Sequence, residues 1–284
     1  MNILCCLNDK YFYPMITMIS SIRKFNKDKL NLFIITSDFS KKYEKKLFKF
    51  CSTRNIEMKI FHQNSNEYTI GNSHYSIDMY FRIFAFSILP ENVEKVLYLD
   101  ADLIFQDNIS NLYNVGLNDR LIAVIRDKDY NSDYLHEHKN KLNIKHDYFN
   151  SGVILFDLKN IRNKLTESNI TKVIEENNDK IMYPDQDILN ILYEEDEILF
   201  LDKKFNYQLQ YKDKLDIDNA TIIHYVGWIK PWTHLKLSNH EAKYWDIFKD
   251  TKMPMHYFKQ HIKMFFFPCK KAIRKFKRII KNKK

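Results

Sequence analysis

Two carboxylates two residues apart, Asp100 and Asp102, close the apolar run 96–99. In extended backbone that spacing turns both side chains to one face. Ligands of open α/β sheets bind beyond the carboxyl ends of strands, so the Asp100-Ala101-Asp102 turn is aimed where a hard divalent ion and a diphosphate would meet. A turn with two solvated acids is the plainer meaning of an isolated D-x-D triplet, and the rest of the chain must decide. His224 closes a second apolar run, 221–225, and completes a mixed oxygen and nitrogen set that suits Mn²⁺ better than Mg²⁺. Gly227 then allows close backbone approach, and Lys230 offers phosphate a point charge.

Two further polar clusters interrupt apolar sequence. Asn150-Ser151-Gly152 stands directly before the run 153–156, where a tight turn is the simple alternative. Asp185, Gln186 and Asp187 open a helical segment with Ile188, Leu189 and Leu192 on apolar positions, and there capping by Asp185 would need no substrate.

Strands are needed to carry these groups to one edge. Short apolar runs at 2–7, 32–36, 56–61, 96–99, 121–125, 153–156, 198–201 and 221–225 read as strands. Between them, helical spacing joins Met15, Met18, Ile19 and Ile22 behind Pro14, and then Tyr43, Leu47, Phe50 and Cys51. Ser76 is placed to cap a helix with Ile77, Tyr80, Phe81, Phe84 and Ile88 on one stripe and Pro90 as its stop. Further helices are expected around 170–176 and 187–193. The alternation predicts an α/β domain of Rossmann-like type, with a mostly parallel central sheet flanked by helices.

With 45% apolar residues the 284-residue chain can bury a large core, and four Gly and six Pro leave no linker to divide it. Cys5, Cys6, Cys51 and Cys269 lack metal-ligand spacing and read as reduced packing residues. The start carries no export leader, so a cytosolic body is expected and the sequons at Asn108, Asn169 and Asn219 read as chance matches. The net charge of +9 raises the question of nucleic acid. Residues 251–284, however, hold twelve of the 45 Lys/Arg and no Asp or Glu, which leaves 1–250 slightly acidic. The basicity therefore belongs to a tail.

Taken together, Y-L-D-A-D, F-N-S-G-V, D-Q-D-I-L-N and H-Y-x-G-x-x-K-P-W resemble, in order and separation, glycosyltransferase family 8, over about residues 1–250. The resemblance implies a GT-A nucleotide-diphospho-sugar transferase fold and retaining transfer of galactose or glucose from a UDP-sugar to a saccharide. It implies Mn²⁺, with Mg²⁺ as the alternative, on Asp100, Asp102 and His224, and diphosphate contacts from Gly227 and Lys230. Asn150 and Ser151 match donor-sugar contacts, Arg82 a donor contact, and His74 a position near the nucleotide. Asp185 and Gln186 fall beside the transferred sugar and the reacting carbon. One departure stands out. Where the family offers Asp, one residue, then Asn-Tyr after the first strand, this chain has Asn8-Asp9-Lys10-Tyr11, so Asp9 serves one residue displaced or Asn8 takes the base. The polar, aromatic stretch 126–147, with Asp127, Asp129, Tyr130 and Tyr134, is expected as a loop on the acceptor side.

In the tail, Ile262, Phe265, Phe266, Cys269 and Ile273 share one helical face, continued by Phe276, Ile279 and Ile280, while Lys263, Lys270, Lys271, Arg274, Lys277 and Lys281 lie opposite. Such a segment lies on an anionic membrane and does not span it. A peripheral enzyme on the inner face of the cell membrane, acting on a lipid-linked glycan such as lipopolysaccharide core, is the expectation, with a helix docked on the body as the alternative. Two other functions would need features of their own. A sugar-nucleotide nucleotidyltransferase lacks its Gly-rich phosphate loop here. A non-enzymatic nucleic-acid binder would need basic surface on the body.

Overall fold

The computed structural model describes residues 1–64, 76–209, 217–227, 230–232 and 239–251. Its chain divides into two compact units, Met1–His224 and Tyr225–Lys284.

Every apolar run read as a strand forms one. In the first unit, β1 (Asn2–Cys6), β2 (Leu30–Thr36), β3 (Ile56–His62), β4 (Lys95–Leu99), β6 (Ile122–Arg126), β7 (Phe149–Asp157) and β8 (Ile198–Phe200) make a sheet of order β3-β2-β1-β4-β7-β6-β8. Four of its pairings are parallel, and β7 runs antiparallel to both β4 and β6. A smaller sheet holds β5 (Leu103–Phe105), β10 (Ile222–His224) and β9 (Tyr207–Gln208), in the order β5-β10-β9. The two-to-three-residue strands β5 and β9 are too short to show an apolar period, and pairing with β10 makes them strands.

Helix α1 (Phe12–Phe25) buries Met15, Met18, Ile19 and Ile22, the stripe expected from spacing. Its buried Ser21 hydroxyl accepts the Phe105 N–H at 3.0 Å, which ties the helix to β5. Helix α2 (Lys41–Ser52) buries Leu47, Phe50 and Cys51. The segment after Ser76 departs from expectation. It is a 3₁₀ helix at Ile77–Arg82 followed by a single turn, α3 (Ala85–Ile88), because the Ser76 hydroxyl donates to Asp78 Oδ2 at 2.6 Å and caps nothing. The Arg162 guanidinium, on α6 (Leu158–Lys164), donates to the carbonyls of Phe86, Leu89, Pro90, Glu91 and Val93 and fixes the turn that leads into β4.

After α4 (Ser110–Tyr113), the stretch expected as a loop contains α5 (Asp133–Lys141), whose Ser132 hydroxyl accepts the Leu135 N–H. Its buried face includes a histidine, His138, paired with the buried Asp187 at 2.8 Å, so an apolar period could not reveal it. Helix α7 (Glu167–Asn177) opens with a Thr166/Asn169 capping box. Helix α8 (Pro184–Leu192) opens on Asp187, which accepts the Met182 and Tyr183 N–H groups at 2.7 and 2.9 Å; Asp185 does not cap it. In the second unit, α9 (Asn239–Asp250) sets Tyr244 edge-on to Tyr225 at 6.0 Å and 5.2 Å from Trp232. No helix among the described residues is long and apolar enough to cross a membrane. The basic tail beyond Thr251 lies outside the described residues.

Candidate active site

Strand pairing assembles the acidic centre. Leu103 on β5 stands opposite His224 on β10, which brings the imidazole over the turn that ends β4. His224 Nε2 lies 3.3 Å from Asp102 Oδ1 and 3.8 Å from Asp100 Oδ2. Asp100 Oδ1 is already engaged, by the Tyr98 hydroxyl at 2.6 Å and Arg82 Nη1 at 3.0 Å, so Oδ2 is the oxygen turned toward the imidazole. One ligand atom from each of the three residues lies within 4.8 Å of the others, with His224 and Asp102 buried. Ligands held about 2.0–2.2 Å from one ion stand at most about 4.4 Å apart, a limit that the 3.3 and 3.8 Å separations from His224 Nε2 meet. Below them, a Cβ on Gly152 would come within 2.4 Å of His224 Cε1 and 2.9 Å of Asp100 Oδ2, so only glycine leaves room. These residues fit a divalent cation.

The triplet Asn150-Ser151-Gly152, for which a tight turn was the simple alternative, is part of β7. Val124 pairs with Ile154 while its neighbour Ile125 pairs with Asn150, so residues 151–153 bulge from the ladder. A bulge re-aims the side chains it contains. Here the Gly152 carbonyl accepts the Asp100 N–H at 2.9 Å, which pins the acidic turn to the bulge.

Arg82 is 3% exposed and joins the acidic turn to α8, its Nη1 lying 3.0 Å from Asp100 Oδ1 and 3.2 Å from Asp185 Oδ2. Its guanidinium also lies 4.3 Å from the centre of the Tyr98 ring and donates to the Ser151 carbonyl at 3.0 Å. Burial opposes its charge, but Asp100 and Asp185 outweigh that and hold its pKa above the ordinary value. Asp185 also accepts the Ser151 hydroxyl at 2.7 Å, and burial raises its pKa against the pull of Arg82. Gln186 Oε1 accepts both Asn150 Nδ2 and the Ser151 N–H at 3.0 Å, while Nε2 faces Asp127 Oδ2 at 3.5 Å. Desolvation raises the pKa of Asp127.

After β1 the structure accounts for the departure at Asn8. Asn8 Nδ2 donates to Asp78 Oδ2 at 3.0 Å and to Ser76 Oγ at 3.1 Å, and its Oδ1 accepts the Lys10 N–H at 3.1 Å. Asp78 is 2% exposed and also accepts the N–H and hydroxyl of Ser37. Asp9 is turned away to the Ser40 N–H, and Tyr11 is 41% exposed. An aspartate at position 8 would thus face a buried carboxylate without a proton to give. Asn8→Asp is expected to cost about 1–3 kcal/mol at pH 7. The pair would share a proton with one pKa raised, so the loss should shrink on acidification; thermal unfolding at pH 7 and 5 measures both.

Of the other expected residues, His74 lies outside the described residues. Gly227 and Lys230 belong to the second unit, where Gly227 has φ 78° and Lys230 Nζ donates to the Tyr225 carbonyl at 2.6 Å. Asp78 and Asn206 were not legible as site residues, since neither stands in a recognisable spacing.

A sheet of this order, with a D-x-D turn ending β4 and a histidine supplied by the small second sheet, is the GT-A nucleotide-diphospho-sugar transferase architecture. The crystal structure of galactosyltransferase LgtC with donor and acceptor sugar analogues shares this fold, at TM-score 0.78 and 21% identity over 92% of this chain and all of that one. The chain belongs to glycosyl transferase family 8, whose model matches residues 2–236. A lipopolysaccharide 1,2-glucosyltransferase of Escherichia coli K12 is 30% identical over 217 residues, 72% of this chain and 64% of that protein. Glycosyltransferase GlyF of Streptococcus pneumoniae serotype 4 is 27% identical over 260 residues, 88% of this chain and 61% of that one. The chain thus spans a little under two thirds of the length of these relatives.

Proposed function

We propose that the chain is a metal-dependent, retaining hexosyltransferase that moves galactose or glucose from a UDP-sugar to a saccharide, with a lipid-linked surface glycan such as lipopolysaccharide core as acceptor. The cluster of Asp100, Asp102 and His224, joined through Arg82 to Asp185, carries this reading. When bound there, Mn²⁺ or Mg²⁺ supplies Lewis-acid stabilisation of a departing diphosphate.

The chain's own groups divide the remaining work. Asp185, engaged by Arg82 and Ser151, is suited to orient the donor sugar. Gln186 has both lone pairs of Oε1 occupied by hydrogen bonds and turns its N–H₂ outward, which makes it a donor and not a nucleophile. Both features favour attack on the face the leaving group departs from, with the phosphate taking the proton. Diphosphate contacts by Gly227 and Lys230, donor contacts by Asn150, Ser151, Arg82, Asn8, Asp9 and Tyr11, and the place of His74 beside the nucleotide rest on the motifs. Attachment of the basic tail to an anionic membrane surface, which would put the enzyme on the inner face of the membrane, rests on the helical spacing of its apolar residues opposite its Lys and Arg side chains. The names of the lipopolysaccharide relatives support the acceptor class.

The test is turnover with UDP-, GDP- and ADP-sugars plus Mn²⁺ on saccharide acceptors, with linkage analysis. UDP-glucose or UDP-galactose should be consumed with release of UDP and retained anomeric configuration. Release of pyrophosphate, or preference for a GDP- or ADP-sugar, overturns the reading.

A further inference from the structure

Three amides, Asn206 and Asn150 buried and Gln186 half-buried, separate His224 from Asp127, and two backbone N–H groups fix the direction in which all of them point. The Ser151 N–H donates to Gln186 Oε1 at 3.0 Å, so the Gln186 oxygen faces inward. The Gly152 N–H donates to Asn150 Oδ1 at 3.0 Å, so Asn150 presents Nδ2 to Gln186 Oε1, 3.0 Å away. Side-chain amides can be placed either way round from heavy atoms alone, but a backbone N–H cannot accept a hydrogen bond. The orientation therefore propagates. Asn206 meets Asn150 Oδ1 at 2.8 Å and must do so with Nδ2, which turns Asn206 Oδ1 to His224 Nδ1, also 2.8 Å away. An amide oxygen is only an acceptor, so Nδ1 must carry the hydrogen. The other ring nitrogen, His224 Nε2, lies on the side of Asp102 and Asp100.

We infer that Asn206 is a positioning residue that holds His224 in its Nδ1–H tautomer and, through Asn150, ties the orientation of that imidazole to Gln186. Asn206 is wholly buried, and a ligand histidine whose other nitrogen is held by a second group is fixed in both tautomer and ring angle. The chain runs from donor to acceptor throughout and ends at the carboxylate of Asp127, 3.5 Å from Gln186 Nε2. The functional consequence rests on the metal reading above, whereas the tautomer does not.

Two measurements keep the two apart. In full-length protein without metal, ¹⁵N shifts and long-range couplings of the His224 ring should report hydrogen on Nδ1. The Nε2–H tautomer in the wild type overturns the inference whatever the protein binds. Mn²⁺ titration without sugar nucleotide is the second. Asn206→Leu, which removes acceptor and donor together, should weaken Mn²⁺ binding about 10–100-fold, the range for losing such a partner. Asn206→Asp keeps an acceptor for Nδ1–H but cannot donate to Asn150. It should bind Mn²⁺ within a few-fold of wild type while kcat falls and KM for the donor changes little. Unchanged Mn²⁺ affinity in Asn206→Leu with a mixed tautomer overturns the coupling to the metal. If Asn206→Leu does not fold, the wild-type tautomer and the kcat and KM of Asn206→Asp still decide. A wild type that binds no Mn²⁺ sinks the metal reading and leaves the tautomer result standing.

Discussion

Asp102→Asn should lower turnover by about three orders of magnitude or more while the protein melts at or slightly above the wild-type temperature. Asp102 is 7% exposed and its Oδ1 faces His224 Nε2 at 3.3 Å, in a cluster whose other acid is Asp100. Substitution by the isosteric amide removes a charge from a centre that already holds a like charge, so the folded state loses little. The reaction loses far more. Charge stabilisation of a leaving diphosphate by a bound cation is worth several kcal/mol, and each 1.4 kcal/mol is about tenfold in rate. A chelator should act on the wild type in the same way, with activity restored best by Mn²⁺. Wild-type turnover of Asp102→Asn, or full activity with chelator present, would show that the cluster is not a metal site. Unfolding of the variant at ambient temperature would show that Asp102 is structural.

Arg82→Met should have the largest effect on stability. The guanidinium is 3% exposed and is shared by Asp100 and Asp185 at 3.0 and 3.2 Å. Methionine preserves much of the volume over the Tyr98 ring but leaves Asp185, itself 3% exposed, as an uncompensated buried charge. Removing one partner of such a pair costs about 3–5 kcal/mol, a fall in melting temperature of roughly 6–20 °C for a domain of this size. The pH dependence has a definite sign. Burial already raises the pKa of Asp185 despite Arg82, and without Arg82 it must rise further. A carboxyl whose folded pKa exceeds its unfolded value of about 4 stabilises the native state below that value and loses this contribution as pH rises. The deficit of Arg82→Met relative to wild type should therefore grow from about pH 4 towards neutrality and shrink on acidification. Thermal melts from pH 4.5 to 8 measure it. A deficit independent of pH would mean that lost packing, and not the orphaned carboxylate, is the cause.

Elements with a regular apolar period were legible, and those held by polar contacts were not. Strands β1, β2, β4 and β10 and helices α1 and α2 announce themselves because burial on one face imposes a spacing on the sequence. Helix α5 does not, since its inward-facing His138 is satisfied by a hydrogen bond with Asp187, 49 positions away. The segment after Ser76 looks like one helix by spacing, and becomes a 3₁₀ turn with a short α-helical turn because Ser76 and Asp78 bind each other and Asn8.

The same division runs through the site. The D-x-D turn, the histidine ending a strand, the glycine at position 152 and the acid–amide pair at 185–186 are local facts of residue type and spacing, so the sequence by itself determined the family and the GT-A fold and singled out Asp100, Asp102 and His224, which the fold brings together. Which atom of each group faces the centre is a matter of contacts between residues far apart in the chain. Arg82 claims one oxygen of Asp100 and one of Asp185; Asp78 claims the amide of Asn8 across 70 positions; Asn206 claims the outer nitrogen of His224 across 18. No local period encodes these partners, because a buried polar group is satisfied by whatever donor or acceptor the folded backbone brings within about 3 Å. Only the tertiary structure decides that.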